Sequence, residues 1–251
     1  MLHVLQLVSF PKSGRTWLRV MLDDLGINNT YSHDGAGYED NSSIHDINPD
    51  KTKYAVAPVL LIVRDPRDII VSGYFQVVRR LRLTEAHSMS HFVRDERYGI
   101  KKVVRFNLQW FAAARQIPGF AVISYELLHK DTARVLSAIV QFVGQKRSHQ
   151  IVQNVVSRRS FAQMQLLEAS GGFKMRYGSA LTPADPNDPE SYKVRRGKVG
   201  GYIDYLSEVD IAYCNRVLDK ADYCSRLKEV VNRYSVLRFL ATERTAISAM
   251  Y

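Results

Sequence analysis

Apolar positions in this chain fall into two patterns, short unbroken runs and longer stretches that repeat every three or four residues. Val4 to Val8, Val59 to Val63 and Phe120 to Tyr125 are runs of strand length. Their continuous character predicts strands covered on both faces, as in a parallel sheet. Leu18, Met21, Leu22 and Leu25 follow the first run at i, i+3, i+4 and i+7, the spacing of one buried helix face, and Gly26 stops that helix. Asn28 to Gly37 reads as a short strand entering a glycine-flanked turn. Residues 85 to 115 read as helical, with Phe106, Trp110, Phe111 and Ala114 on one packing face, and Pro118 with Gly119 breaks the pattern. Asp131 caps a helix over Thr132 to Val143 that packs through Val135, Ile139 and Phe142 and ends at Gly144. Phe173 to Tyr192, with Pro183, Pro186 and Pro189, reads as an irregular loop placed to act as a lid. Ser207 with Asp210 starts a C-terminal helix, and the rest reads as helical packing. Strands alternating with helices predict an α/β class, a three-layer sandwich in which helices flank a central, mostly parallel sheet, as a single domain over residues 1–251.

The turn after the first strand changes this picture from architecture to chemistry. Phe10-Pro11-Lys12-Ser13-Gly14-Arg15-Thr16-Trp17 leads a buried strand straight into a helix. A helix N-terminus carries unpaired amides and the positive end of the dipole, and Lys12, Ser13 and Thr16 add further donors, so an anion fits there. An ATP-type loop needs two glycines five positions apart with lysine directly after the second, and here Gly14 follows the lysine instead. The strand Val59 to Val63 leads into Arg64-Asp65-Pro66, with Ser72 further on. An acid in this position suggests magnesium at Asp65. Arg64 at the strand tip, Pro66 at a helix start and the serine beyond favour a second anion site.

Charge agrees with an anionic ligand and excludes little else. Lys and Arg number 35 against 25 Asp and Glu, a formal net charge of +10, which suits an anionic small molecule, a nucleic acid or a membrane surface alike. Arg79, Arg80 and Arg82 read as a solvated helix face. Two cysteines, Cys214 and Cys224, are too few for a disulfide framework and read as buried thiols. No run approaches the roughly 20 apolar residues of a membrane span, and none reads as a cleavable leader, so the expected location is cytoplasmic. Nothing in the sequence sets an oligomeric state.

The segment Pro11 to Trp17 resembles the 5′-phosphosulfate loop, P-K-S-G-T-T-W, of sulfotransferases that use 3′-phosphoadenosine-5′-phosphosulfate (PAPS). It matches at every position but one, where Arg15 replaces a threonine. Arg64 with Ser72 resembles the same family's 3′-phosphate motif. Tyr31-Ser32-His33 resembles its Lys-Thr-His segment, Tyr125-Glu126-Leu127-Leu128 its Y-E-D-L, Ser160 to Met164 its S-F-x-x-M, and Arg195 to Gly200 its R-K-G-x-x-G. The resemblance implies a P-loop-NTPase-like sulfotransferase fold and transfer of a sulfuryl group from PAPS to a hydroxyl or amine, with 3′-phosphoadenosine-5′-phosphate (PAP) as product and no metal. It implies that Lys12 stabilises the leaving phosphate and His33 is the general base, with His45 in reserve. Lys12, Ser13, Gly14, Arg15, Thr16 and Trp17 would hold the 5′ end, and Arg64, Ser72, Arg195, Arg196 and Gly197 the 3′-phosphate. Tyr125, with Trp17 and Phe161 as a sandwich, would hold the adenine. The expected partner is a small-molecule or carbohydrate acceptor, not a nucleic acid. Two other readings are a P-loop kinase acting on a small molecule and a non-catalytic basic module for nucleic acid or polysaccharide.

Overall fold

Every residue of the strand Val59–Val63 is buried, and its side chains divide between two cores. Val59, Leu61 and Val63 face a cluster with Phe10, Phe106 and Trp110; Leu60 and Ile62 face another with Leu7, Leu18, Met21, Val135 and Ile139. A strand that buries both faces sits in the middle of a sandwich, because each large apolar side chain removed from water contributes about 1.5–3 kcal/mol. The computed structural model describes residues 4–40, 42–83 and 88–240, and the three layers are plain in it.

The chain runs β1 (Leu5–Ser9), α1 (Arg15–Asp24), β2 (Asn29–Ser32), β3 (Val59–Val63) and α2 (Pro66–Phe75), then α3 (Met89–Arg94), α4 (Ile100–Ala113) and β4 (Phe120–Ser124). After these come α5 (Tyr125–Lys130), α6 (Thr132–Phe142), α7 (His149–Arg158), α8 (Phe161–Ala169), α9 (Lys174–Tyr177), α10 (Glu208–Lys220) and α11 (Tyr223–Tyr234). The four strands are parallel throughout, in the order β2-β1-β3-β4. Gln6 lies opposite Thr30 on one side and Val59 on the other, and Val59 opposite Phe120. α1, α6 and α7 supply the core on one face of the sheet, and α2, α4 and α11 on the other. β1 pairs with β2 on one side and β3 on the other, so the chain reverses direction across β1. In open parallel sheets a crevice for ligands opens at that point, beyond the strands' C-terminal ends.

Four details differ from the sequence reading. The helical stretch expected over 85–115 is two helices, because Asp95 accepts the amides of Arg97 and Tyr98 at 2.6 and 3.2 Å and turns the chain between α3 and α4; residues 85–87 lie outside those described. β4 stops at Ser124, whose hydroxyl caps α5 by accepting from Leu127 N, so Tyr125 opens a helix. The segment 173–192 is folded rather than irregular: Phe173 and Leu181 pack with Val20 and Met164 in a third cluster. Cys214 is buried, but Cys224 is exposed. The last residues of the stretch expected to be helical, 241–251, lie outside those described. The caps expected at Asp131 and Ser207 are formed, by acceptance from Arg134 N and Asp210 N.

Candidate functional site

The turn after β1 is bent by two residues with left-handed backbone, Lys12 at φ 69° and Gly14 at φ 90°. A Cβ on Gly14 would lie 2.4 Å from Cδ2 of Tyr125, so glycine is required both by backbone and by space. α1 then starts at Arg15 with no side-chain cap and no acid in its first turn, which leaves its positive end turned outward. Lys12 donates to Gln76 Oε1 at 3.1 Å. Burial, with Lys193 and Arg80 nearby, holds its ammonium pKa well below the ordinary value. Gln76 begins a wider π-type stretch, Gln76–Leu81, that continues α2 and carries the amide inward.

The turn after β3 meets the first one directly. Arg64 Nη1 donates to the carbonyl of Lys12 at 3.2 Å, Nη2 to the carbonyl of Lys198 at 3.1 Å, and the guanidinium stacks 4.3 Å over Tyr125. Its Nε is buried without a partner. Asp65 does not stand open as a magnesium ligand would: it caps α2 by accepting from Arg67 N and pairs with the Arg67 guanidinium at 2.7 Å. Among the described residues no group of three or more His, Cys, Asp and Glu is arranged to hold a metal ion.

His33, just beyond β2, completes the crevice from the other side. Its Nδ1 donates to the carbonyl of Ser9 at 2.8 Å, which leaves the lone pair on Nε2. That lone pair accepts from Arg15 Nη2 at 2.9 Å. Burial and the adjacent Arg15 charge push the His33 pKa down to about 3. The residue that departs from the family's loop is therefore the one that touches the histidine. Burial likewise brings Arg15 down to about 10, and its Nη1 has no partner. His45 lies elsewhere, exposed and 4.0 Å from Glu96.

A strap from the C-terminal half closes the crevice. Phe161 opens α8, and a Cβ on Gly197 would lie 2.4 Å from its ring, so ring and strap backbone touch. Tyr125 OH donates to the carbonyl of Gly197 at 3.1 Å. Asp68, buried on α2, accepts the amides of Gly200 and Tyr202 at 2.8 and 2.9 Å and lies 3.5 Å from Arg64, which ties the strap to the turn after β3. Arg195 pairs with Glu190 at 2.7 Å, and Arg196 with Asp204 at 3.3 Å. Upstream, fully buried Glu168 accepts the amides of Lys193 and Val194, both at 2.7 Å, and pairs with Arg80 at 3.3 Å. Arg80 also donates to the carbonyls of Thr182 and Ser191, so it is a buried clasp and not part of a solvated face; Arg79 and Arg82 are exposed as expected.

These parts border one cavity of about 550 Å³. Lys12, Gly14, Arg15, Thr16, Trp17, His33, Arg64, Ser72, Tyr125, Phe161, Arg195, Arg196 and Gly197 all line it. Ser13 does not: it is fully buried, and its hydroxyl has no partner. Trp17 borders the cavity while its indole N–H donates to the carbonyl of Arg159 at 2.7 Å, and its ring meets Tyr125 edge-on at 6.3 Å. Sequence reasoning missed Gln76, Asp68, Glu168 and Lys193. Only contacts far apart in the chain distinguish them from ordinary surface residues, although the polar Gln76 after an apolar helix face and Lys193 two positions before Arg195 were visible clues.

The sulfotransferase domain family model matches residues 44–229 of the chain. The chain belongs to the sulfotransferase family. The match takes in Arg64, Ser72, Tyr125, Phe161 and the strap, whereas the Lys12 turn and His33 precede it. This family member is 26% identical over 152 residues to a 3-beta-hydroxysteroid sulfotransferase of Cavia porcellus, covering 58% of the chain and 49% of that protein. It is 27% identical over 114 residues to sulfotransferase 2A1 of Homo sapiens, covering 43% and 39%. The chain spans about half the length of the curated relatives it matches. The mouse sulfotransferase SULT7A1 complexed with PAP has the same fold, at a TM-score of 0.67 and 20% identity over 92% of this chain and 90% of that one. So does retinol dehydratase in complex with androsterone and inactive cofactor PAP, at 0.63 and 16% over 86% and 80%.

Proposed function

We propose that this chain transfers a sulfuryl group from PAPS to a hydroxyl or amine of an acceptor. The observation that carries the reading is the 3.2 Å contact between Arg64 and the Lys12 carbonyl, which joins two anion-receiving turns in one cavity. A nucleotide with phosphates at both ends of its ribose needs two such turns, and a single-ended nucleotide does not. The residues fit that group in other ways. A buried, unpartnered Arg64 Nε suits an anionic occupant, and the glycines at 14 and 197 let the Tyr125 and Phe161 rings pack close against the backbone that borders the cavity. The solved relatives named for their PAP complexes agree with this.

PAPS supplies the activated sulfuryl group, and negative charge builds on the phosphate it leaves. Lys12, oriented by Gln76, is the cation for that charge; the phosphate beside it favours the charged form against the burial that holds its pKa down, and a fixed charge in a water-poor site acts without reorganising. Arg64 and Ser72 hold the 3′-phosphate, while Arg195, Arg196 and Gly197 close over it. The amides of Gly14, Arg15 and Thr16 hold the 5′ end. Trp17, Tyr125 and Phe161 enclose the adenine. His33, with its tautomer set by the Ser9 carbonyl, takes the acceptor proton on Nε2. A base with a pKa near 3 is weak at neutral pH. Burial is the larger cause of that depression; anionic phosphates beside Lys12 offset only the share that comes from Arg15, Lys193 and Lys12.

The relatives' names favour a small hydroxylated acceptor over a carbohydrate. One domain over residues 1–251 and a cytoplasmic setting belong to the same proposal. They are supported by two cores that share one sheet and by Cys224, a free thiol exposed to solvent, as in reducing compartments. No helix among the described residues is long and apolar enough to cross a membrane.

Thermal unfolding with PAP, ATP with magnesium, or duplex DNA tests the reading. PAP at 100 times its Kd adds about 2.7 kcal/mol, and the other two add nothing. Stabilisation by ATP with turnover would replace the proposal with a kinase, and stabilisation by DNA alone with a binding module. Lys12→Met and His33→Ala should each remove most sulfuryl transfer; near-normal turnover in His33→Ala would strike His33 from the mechanism.

A further inference from the structure

A second, smaller pocket of about 80 Å³ opens beside the main cavity and shares Arg15, Thr16, Tyr31 and Lys193 with it. Three cations line it, Arg15, Arg19 and Lys193, and no carboxylate does. Its size suits a group of a few heavy atoms. Arg15 and Arg19 stack 4.7 and 4.3 Å over the ring of Tyr31, which fixes their planes and leaves their edges to donate. Arg19 has Asp23 at 3.9 Å. Arg15 spends Nη2 on His33, and Nη1 is buried with no partner. The backbone of Lys193 is pinned by Glu168, but its ammonium makes no hydrogen bond or ion pair among the described residues. Glu168 and Glu39 act on the Lys193 ammonium only from a distance, and partly buried cations with no anion in hydrogen-bonding contact suit an anion from outside.

Sheet order says which molecule brings it. Arg64 follows β3, on one side of β1; Tyr31 lies on β2 and His33 just beyond it, on the other. The donor's phosphates already have receivers in the Lys12 turn, Arg64 and the strap. The pocket lies on the side of His33, where the acceptor must present the atom to be modified. We propose that Lys193 and Arg15, backed by Arg19, form an anion subsite for the acceptor, and that the acceptor carries a carboxylate or sulfate near the group that is modified. This inference rests on the sulfotransferase reading. An anion taken by Arg15 also loosens its hold on His33 Nε2, so the right acceptor helps to uncover its own base.

The test is calorimetric titration of the full chain saturated with PAP, using matched probes: 4-hydroxybenzoate against 4-methylphenol, and glucuronate against glucose. The anionic member of at least one pair should bind ten times tighter or better. Lys193→Met should abolish that preference whatever it does to PAP affinity, since the lysine also borders the main cavity, and Lys193→Arg should retain it. Circular dichroism and PAP binding establish that each variant is folded. Equal binding within both pairs, or no binding by any anionic probe, overturns the subsite. A Lys193→Met variant that loses PAP affinity and keeps the preference also overturns it, and assigns the lysine to the donor. If PAP itself fails to bind, the sulfotransferase reading falls first; the 4-hydroxybenzoate preference and its loss in Lys193→Met, measured without PAP, then decide the subsite alone.

Discussion

Replacing Gly14 by Ala puts one methyl group where the two halves of the site meet. At φ 90° an L-residue carries a left-handed penalty of about 1–2 kcal/mol. The added Cβ would stand 2.4 and 2.9 Å from Cδ2 and Cε2 of Tyr125, and forcing carbon into packed space adds about 1–3 kcal/mol. The sum is about 2–5 kcal/mol. Tyr125 has little room to yield, being 5% exposed, under the Arg64 guanidinium at 4.3 Å and bonded to the Gly197 carbonyl at 3.1 Å. If the ring does move, Arg64 and the strap move with it, and the energy appears as lost PAP affinity in place of lost stability. Gly144→Ala is the control: φ there is 71°, and nothing lies within 4 Å of the added Cβ, so only the backbone penalty applies. Urea unfolding and PAP titration of both variants separate the contributions. If Gly14→Ala matches Gly144→Ala within about 0.5 kcal/mol and binds PAP as the parent does, the collision with Tyr125 is not real and the account of this turn fails.

Three further outcomes follow from the same contacts. Glu168→Ala takes the carboxylate from the Arg80 guanidinium and the acceptor from two amides at a fully buried position, and should lower unfolding stability by about 3–5 kcal/mol; a loss below about 1 kcal/mol in urea titration would refute the clasp. Asp68→Asn gives up the ion pair with Arg64 and at least one strap amide, worth about 1.5–3 kcal/mol, so PAP titration should show affinity down by an order of magnitude or more; unchanged affinity would uncouple strap from site. His33 has a folded pKa of about 3, below its unfolded value of about 6.5. The unfolded chain therefore binds the extra proton between those limits, and stability conferred by neutral His33 is present above pH 6.5 and lost as pH falls toward 3. The slope approaches about 1.4 kcal/mol per pH unit, and stability measured across this window in His33→Gln should lack it.

Much of the site was legible because its chemistry is local. The Lys12 turn, the Arg64 to Ser72 spacing and the strap glycine each announce themselves within a few residues, since a helix N-terminus or a tight backbone approach is made by neighbours in the chain. The strands showed as unbroken apolar runs, for burial on both faces leaves no polar alternation. Arg80 was misread as solvated because its counter-charge, Glu168, and the carbonyls of Thr182 and Ser191 lie far along the chain. The break between α3 and α4 was missed because the residues around it keep a helical pattern on both sides, and only the side chain of Asp95 turning back on the backbone interrupts them.

What the amino-acid order determined by itself was the α/β class, the two turns that border the cavity and the family, because periodicity and short motifs depend on residues that are adjacent. Tertiary structure alone decided that Arg64 reaches the Lys12 carbonyl, that Arg15 occupies the lone pair of His33, and that Lys193 stands between two pockets. The physical reason is that electrostatics and burial act through space. A side chain's charge state and reach are set by whatever the sheet order brings within a few ångströms, and that order is not written in any one segment.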